Sequence, residues 1–147
     1  MELTVNHEEV GESAWVISPK GSLDYSSYKD FEEKVEDLFY KKARHLLLDM
    51  AGVKYISSVG LSAIIQLIKH SREIGATLAL YDSQLAVKRV LEISKLDILQ
   101  IKPEDIDASN PFFEYISAQE PKRRKERLER ENERLKKESQ PQPKKGK

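Results

Sequence analysis

Apolar and polar positions change period several times along this chain, and each change marks an expected element. Leu3 and Val5 alternate with polar neighbours, as an edge strand does. Ala14-Trp15-Val16-Ile17 reads as a second short strand, with Pro19-Lys20-Gly21 as the punctuation that ends it. From Ser26 the period lengthens: Tyr28, Phe31, Val35, Leu38 and Phe39 share one helical face, the charged residues lie elsewhere, and Ser26 or Ser27 stands as the N-cap. His45-Leu46-Leu47-Leu48-Asp49-Met50 reads as a strand covered on both faces. Ala51 to Ile56 then acts as a turn into Ser57-Ser58-Val59-Gly60-Leu61, where a helix of about Gly60 to Ile74 begins, with Leu61, Ile64, Ile65 and Ile68 on one stripe. Gly75 occupies the usual glycine position after a helix end. Thr77 to Tyr81 is a further strand, Gln84 to Ile93 a shorter helix, and Ile98 to Ile101 a last strand stopped by Pro103. Asn110-Pro111 reads as a cap followed by proline at the first helical position, opening a helix through Phe112, Phe113 and Ile116.

The expected order is therefore β-β-α-β-α-β-α-β-α. Strands alternating with helices predict an α/β fold with parallel pairs, and the leading hairpin-like pair adds antiparallel character at one edge. The expectation is a mixed β-sheet with helices mainly on one face, over a domain of residues 1–118. Residues 119–147 form a charged, basic C-terminal tail, expected to be partly helical or disordered. Apolar residues almost vanish after Pro121, but Leu128 and Leu135 are seven apart with Asn132 between them, at coiled-coil spacing. That covers about two heptads, so the tail reads first as a solvated helix, with a weak dimer through it as the alternative. Ser139 to Lys147 reads as disordered.

Charge adds an asymmetry that the formal net of zero conceals. Residues 122–147 carry 12 Lys and Arg against 5 Asp and Glu, a net of +7, which leaves −7 on residues 1–121. An acidic body thus carries a basic tail. The tail's interleaved glutamates and lack of aromatics argue against direct nucleic-acid binding; an anionic membrane surface or a helical partner are the other readings of its charge. Cysteine is absent, which removes disulfides and thiolate chemistry. No signal peptide opens the chain, and the apolar runs are too short to span a bilayer, so a cytoplasmic protein is the simplest expectation.

Ser57 and Ser58 sit at a helix N-terminus, where unpaired N–H groups and a partial positive charge favour a serine cap and would favour a phosphoserine more strongly. The bland reading makes both serines caps or turn formers. Gly60 marks close backbone approach or turn geometry. A serine hydrolase would need a G-x-S-x-G elbow and a base; Ser57-Ser58-Val59-Gly60 lacks the first glycine, and His7, His45 and His70 stand in no triad context. No P-loop, metal-spaced Cys/His set or dinucleotide glycine run is present, so no catalysis, metal or cofactor is expected.

Taken in order, these segments resemble a STAS domain, the family of anti-sigma factor antagonists. Gly21-Ser22-Leu23-Asp24 looks like the family's segment before its first helix. Leu47 to Met50, Val53 and Tyr55-Ile56-Ser57-Ser58-Val59-Gly60-Leu61 look like its central signature; Gly75 to Leu78, Val87 to Leu91 and Leu96-Asp97 fit its later part. The resemblance covers about residues 3–117. Best-studied signatures carry Asp where this chain has Ser57, and often Ser or Thr where it has Val59. The resemblance implies that Ser58 is the phosphorylated serine, and that the unphosphorylated form binds an ATP-binding anti-sigma factor that is also the serine kinase, freeing the sigma factor. Phosphorylation breaks that complex, and a PP2C-type phosphatase restores it. It also places Asp24 at the border of the partner surface formed by Ser57, Ser58, Val59 and Gly60; the bland reading of Asp24 is a helix-initiating carboxylate. Within the family the alternative is an unphosphorylated scaffold, or a subunit of a larger regulatory or lipid-transport complex.

Overall fold

The opening segment pairs as the alternation of Leu3 and Val5 predicts, but both strands run further than expected. A computed structural model describes residues 2–139. In it β1 spans Leu3–Gly11 and β2 spans Ala14–Leu23, antiparallel, with Leu3 opposite Gly21 and Glu9 opposite Trp15. Pro19 therefore lies inside β2 instead of ending it. The physical reason is the partner on the other side. β2 pairs in parallel with β3 (His45–Asp49) through Ala14 to Ile17, and with β4 (Val53–Ile56) through Gly21 to Leu23. Pro19 falls between these two ladders, where a missing N–H breaks no parallel pairing. The expected turn at Ala51 to Ile56 is thus strand from Val53 on: four residues are too few to show a period, and only pairing with β2 makes them β4.

The sheet order is β1-β2-β3-β5, with β5 at Thr77–Tyr81 and β4 also on β2. All pairs except β1–β2 are parallel. Ile17, Leu48 and Leu80 are register neighbours, as are Leu46 and Leu78. They join one core with Phe31, Val35, Leu38 and Phe39 of α1 (Tyr28–Tyr40), Ile64, Leu67 and Ile68 of α2 (Ser58–Glu73), and Val87 and Leu91 of α3 (Leu85–Ile93). Helices α1 to α3 thus lie on one face, as expected. Val16 and Leu47 point to the opposite face, since successive strand side chains alternate, and both are also fully buried. The run Leu46 to Leu48 is covered on both sides, as its unbroken apolarity predicts. Gly75 follows α2 at φ +72, the left-handed conformation of a glycine after a helix end.

Ile98 to Ile101 does not form the expected strand. Asp97–Leu99 is a 3-10 turn closed by the Gln100 N–H on the Asp97 carbonyl at 2.9 Å, and Pro103 follows at once. What survives of strand character is one parallel bridge of Gln100 with Leu80 and the Ile101 N–H on the Leu80 carbonyl at 2.7 Å. Asn110 does cap: its side-chain oxygen accepts the Phe112 N–H at 2.8 Å. Residues 111 and 112 remain in a turn, however, and α4 starts at Phe113.

Contacts divide the chain into one unit up to Phe113 and a second from Glu114. The described part of the second unit is α4 (Phe113–Ser139) beyond its first residue, a helix that passes through Pro121 without interruption. Arg127 binds Glu120 through two N–H···O contacts of 3.1 Å that reach about two turns across the proline. Ser139, expected to be disordered, is the last described residue and is helical; the remainder of that stretch, residues 140–147, lies outside the described residues.

Candidate functional site

Strands β2 and β4 run parallel and end together, with Leu23 beside Ile56. The residues that leave their carboxyl ends, Asp24 from β2 and Ser57 from β4, therefore emerge side by side. Carboxyl ends of parallel strands are where α/β sheets present their binding residues. The Ser57 N–H donates to the Leu23 carbonyl at 2.9 Å and ties the two exits together.

The two serines divide the work. Ser57 is the N-cap of α2 in extended conformation, φ −87 and ψ 173, and its Oγ accepts the Gly60 N–H at 3.2 Å. Its carbonyl accepts the Leu61 N–H at 2.8 Å, the first turn of the helix. Ser58 is the first helical residue; it is exposed, and its hydroxyl takes no part in the cap. Val59 is half-buried and Gly60 is buried. Gly60 is a contact point: a Cβ there would lie 2.3 Å from the Leu23 carbonyl oxygen, far inside van der Waals distance. Only glycine lets the first turn of α2 come this close to the end of β2.

Asp24 builds the neighbouring turn. Its Oδ1 accepts the Ser26 hydroxyl at 2.6 Å and the Ser26 N–H at 3.0 Å, and its carbonyl accepts the Tyr28 N–H at 2.9 Å, which opens α1. The Ser26 hydroxyl, above all, holds the Asp24 carboxyl below the ordinary aspartate range, against the opposing loss of hydration; the Ser26 N–H acts in the same direction. Ser27 is the N-cap by position but not through its side chain. Its Oγ accepts the Asp24 N–H at 3.0 Å, and its single proton goes to the Ser22 carbonyl at 2.8 Å in preference to Asp24 Oδ1 at 3.4 Å.

Asp24, Ser57, Ser58, Val59 and Gly60 are thus brought to one end of the sheet. Two residues outside the expected site set, Tyr25 and Tyr55, stand beside it; Tyr55 figures in the sequence only as part of the signature. They flank the site in sequence and are 79% and 56% exposed. Tyr55 lies in β4 between exposed Lys54 and buried Ile56, and no alternation in that four-residue strand marks it. Exposed tyrosines fit a protein-docking surface, where aromatics are enriched. A shallow cleft of about 430 Å³ lies nearby, lined by Glu2, Leu3, Ser26, Ser27 and Asp30. Its lining includes none of Ser57, Ser58 or Gly60, and Ser58 itself is exposed.

The histidines have structural neighbours. His45 Nδ1 lies 2.9 Å from Thr77 Oγ1 on the adjacent strand, His70 meets Glu36 across α1 and α2, and the His7 ring packs beside Trp15. Among the described residues no cluster of three or more His, Cys, Asp or Glu side chains is placed to hold a metal, and no helix is long and apolar enough to cross a membrane.

Solved structures share this architecture. The anti-sigma factor antagonist SpoIIAA in its unphosphorylated form aligns with a TM-score of 0.61 at 15% identity, over 67% of this chain and 86% of that one. The same protein of Bacillus, described as a cell fate determinant, aligns in its phosphorylated form at 0.57. A putative anti-sigma factor antagonist from Thermotoga maritima aligns at 0.61 with 22% identity, over 67% and 86% of the two chains. A sulfate transporter family protein from Wolinella succinogenes aligns at 0.54 with 16% identity, over 62% and 74%. At these identities the likeness establishes the fold. The family model described as STAS domain matches residues 5–108, from β1 past the Asp97–Leu99 turn and through every residue of the site. The chain belongs to the STAS domain family.

Proposed function

We propose that this protein is an anti-sigma factor antagonist whose switch is phosphorylation of Ser58. The unphosphorylated form binds an ATP-binding anti-sigma factor that is also its serine kinase, and so frees a sigma factor; a PP2C-type phosphatase reverses the modification. The observation that carries this reading is the division between the serines. Ser57 supplies the cap through its Oγ, which leaves the exposed Ser58 hydroxyl available at the next position.

Phosphorylation adds about −1.5 to −2 charges. At the N-terminus of a 16-residue helix the N–H groups and the dipole tolerate that charge, so the modified domain keeps its fold. A partner packed over Ser58, Tyr25 and Tyr55 would have to enclose a hydrated dianion. A penalty of about 1.4 kcal/mol already weakens affinity tenfold, so blocking the surface is enough and no refolding is needed. The net −7 on residues 1–121 suits a partner with a basic face. Calorimetry with the partner recovered from the native cell tests this. Ser58→Asp should weaken binding at least about tenfold, roughly 1.4 kcal/mol, while Ser58→Ala binds as the parent does. Equal affinity of the two variants would refute the switch. Incubation with that kinase and ATP, read by intact mass, separates the reading from an unphosphorylated STAS scaffold: an unmodified Ser58 would favour the scaffold.

A further inference from the structure

The second half of α4 carries an apolar seam that the proposed switch does not use. Between Lys122 and Ser139 the apolar side chains are Leu128 and Leu135, which remain 55% and 48% exposed. Placing the two leucines at heptad position d puts Asn132 at a, with Lys125 and Ser139 at the flanking a positions. A single asparagine at a is the residue that fixes register and orientation in a two-stranded parallel coiled coil, because each amide meets its counterpart across the seam.

The flanking charges agree with that register. Arg124 and Glu131 fall at g, Glu129 and Lys136 at e. In a parallel dimer each g faces the e five residues on in the other helix. Arg124 therefore meets Glu129 of the second copy, and Glu131 meets Lys136 of the second copy. Both pairings are opposite in sign, and each occurs twice by symmetry. Glu131 also touches Arg134 in its own helix, at 4.0 Å and exposed, a contact worth little. Charge alone would also allow an antiparallel pair. Asn132 decides against it, since antiparallel layers set a against d and would bury the amide against a leucine.

We propose that α4, through residues 122–139, forms a parallel two-stranded coiled coil with a second copy of this chain. Two leucine layers make a short seam, so the dimer depends on protein concentration. The absence of cysteine provides a clean test in the full-length protein. Asn132→Cys, at the seam, should form a disulfide-linked dimer under mild oxidation several-fold faster than Arg130→Cys, which falls at the outer f position. Sedimentation equilibrium of the parent should show self-association that Glu131→Lys weakens roughly tenfold and that Glu131→Lys with Lys136→Glu restores. Equal cross-linking at 130 and 132 would overturn the proposal. So would a chain that stays monomeric while it captures a helix of another protein or an anionic vesicle, or self-association that survives Leu128→Ala with Leu135→Ala.

Discussion

Gly60→Ala is the most direct probe of how β2 positions α2. Two effects oppose each other. Alanine is the better helix former by about 1 kcal/mol, less so in a first turn where the helix is held by its cap. Against this, the new Cβ would lie 2.3 Å from the Leu23 oxygen and 2.9 Å from both the Leu23 carbonyl carbon and Cγ. Normal contact would require a shift of roughly 1 Å, since a carbon at van der Waals separation sits about 3.5 Å from its neighbour. Leu23 cannot yield easily. It is fully buried, it is held in the ladder with Ile56, and its carbonyl also accepts the Ser57 N–H. Overpacking of this kind costs about 1–3 kcal/mol, and moving α2 outward would lose the Ser57–Leu23 bond for about 1 kcal/mol more. The net expectation is a loss of about 2 kcal/mol. Urea unfolding followed by circular dichroism would read it as a midpoint lowered by about 1 M at unchanged slope. Gly11→Ala is the control, because its Cβ would meet only Ala14 Cβ at an ordinary 3.7 Å; it should stay within about 0.5 kcal/mol. A midpoint for Gly60→Ala equal to or above that of the parent would show that close approach to β2 is not what holds α2.

Two further predictions concern the same corner. Ser57→Ala removes the α2 cap and should cost about 1 kcal/mol, whereas Ser58→Ala should cost less than about 0.5 kcal/mol; the reverse order in urea unfolding would contradict the assigned cap. Asp24 has its pKa lowered by the fold, so its contribution to stability is complete above the ordinary aspartate value and disappears as pH falls through the lowered one. A carbon-detected NMR titration should find the Asp24 midpoint below that of an unstructured aspartate, and Ser26→Ala should raise it by removing the strongest hydrogen bond to the carboxyl; a midpoint indifferent to Ser26 would refute the Asp24–Ser26 assignment.

Local pattern determined much of this protein. The periods of Phe31 to Phe39 and of Ile64 to Ile68 specify α1 and α2, because a helix buries one stripe and these residues supply one. The unbroken Leu46 to Leu48 run specifies a strand covered on both faces, and Gly75 the end of α2. The site was legible as a cluster of residue types at a helix start, and Ser57 as a cap. Tertiary structure decided the rest, wherever an element's fate depended on a distant partner. β4 exists because the far half of β2 offers it a ladder, and Pro19 is tolerated because it falls where β2 passes from β3 to β4. Ile98 to Ile101 had strand composition but closes into a 3-10 turn and leaves one bridge on β5. The same long-range pairing brings Asp24 beside Ser57, 33 residues later in the chain, and Gly60 within contact of Leu23. Sequence periodicity records which face a segment buries. Which strand lies next to it, and so which side chains share a surface, is set by hydrogen bonds between segments that no local window contains.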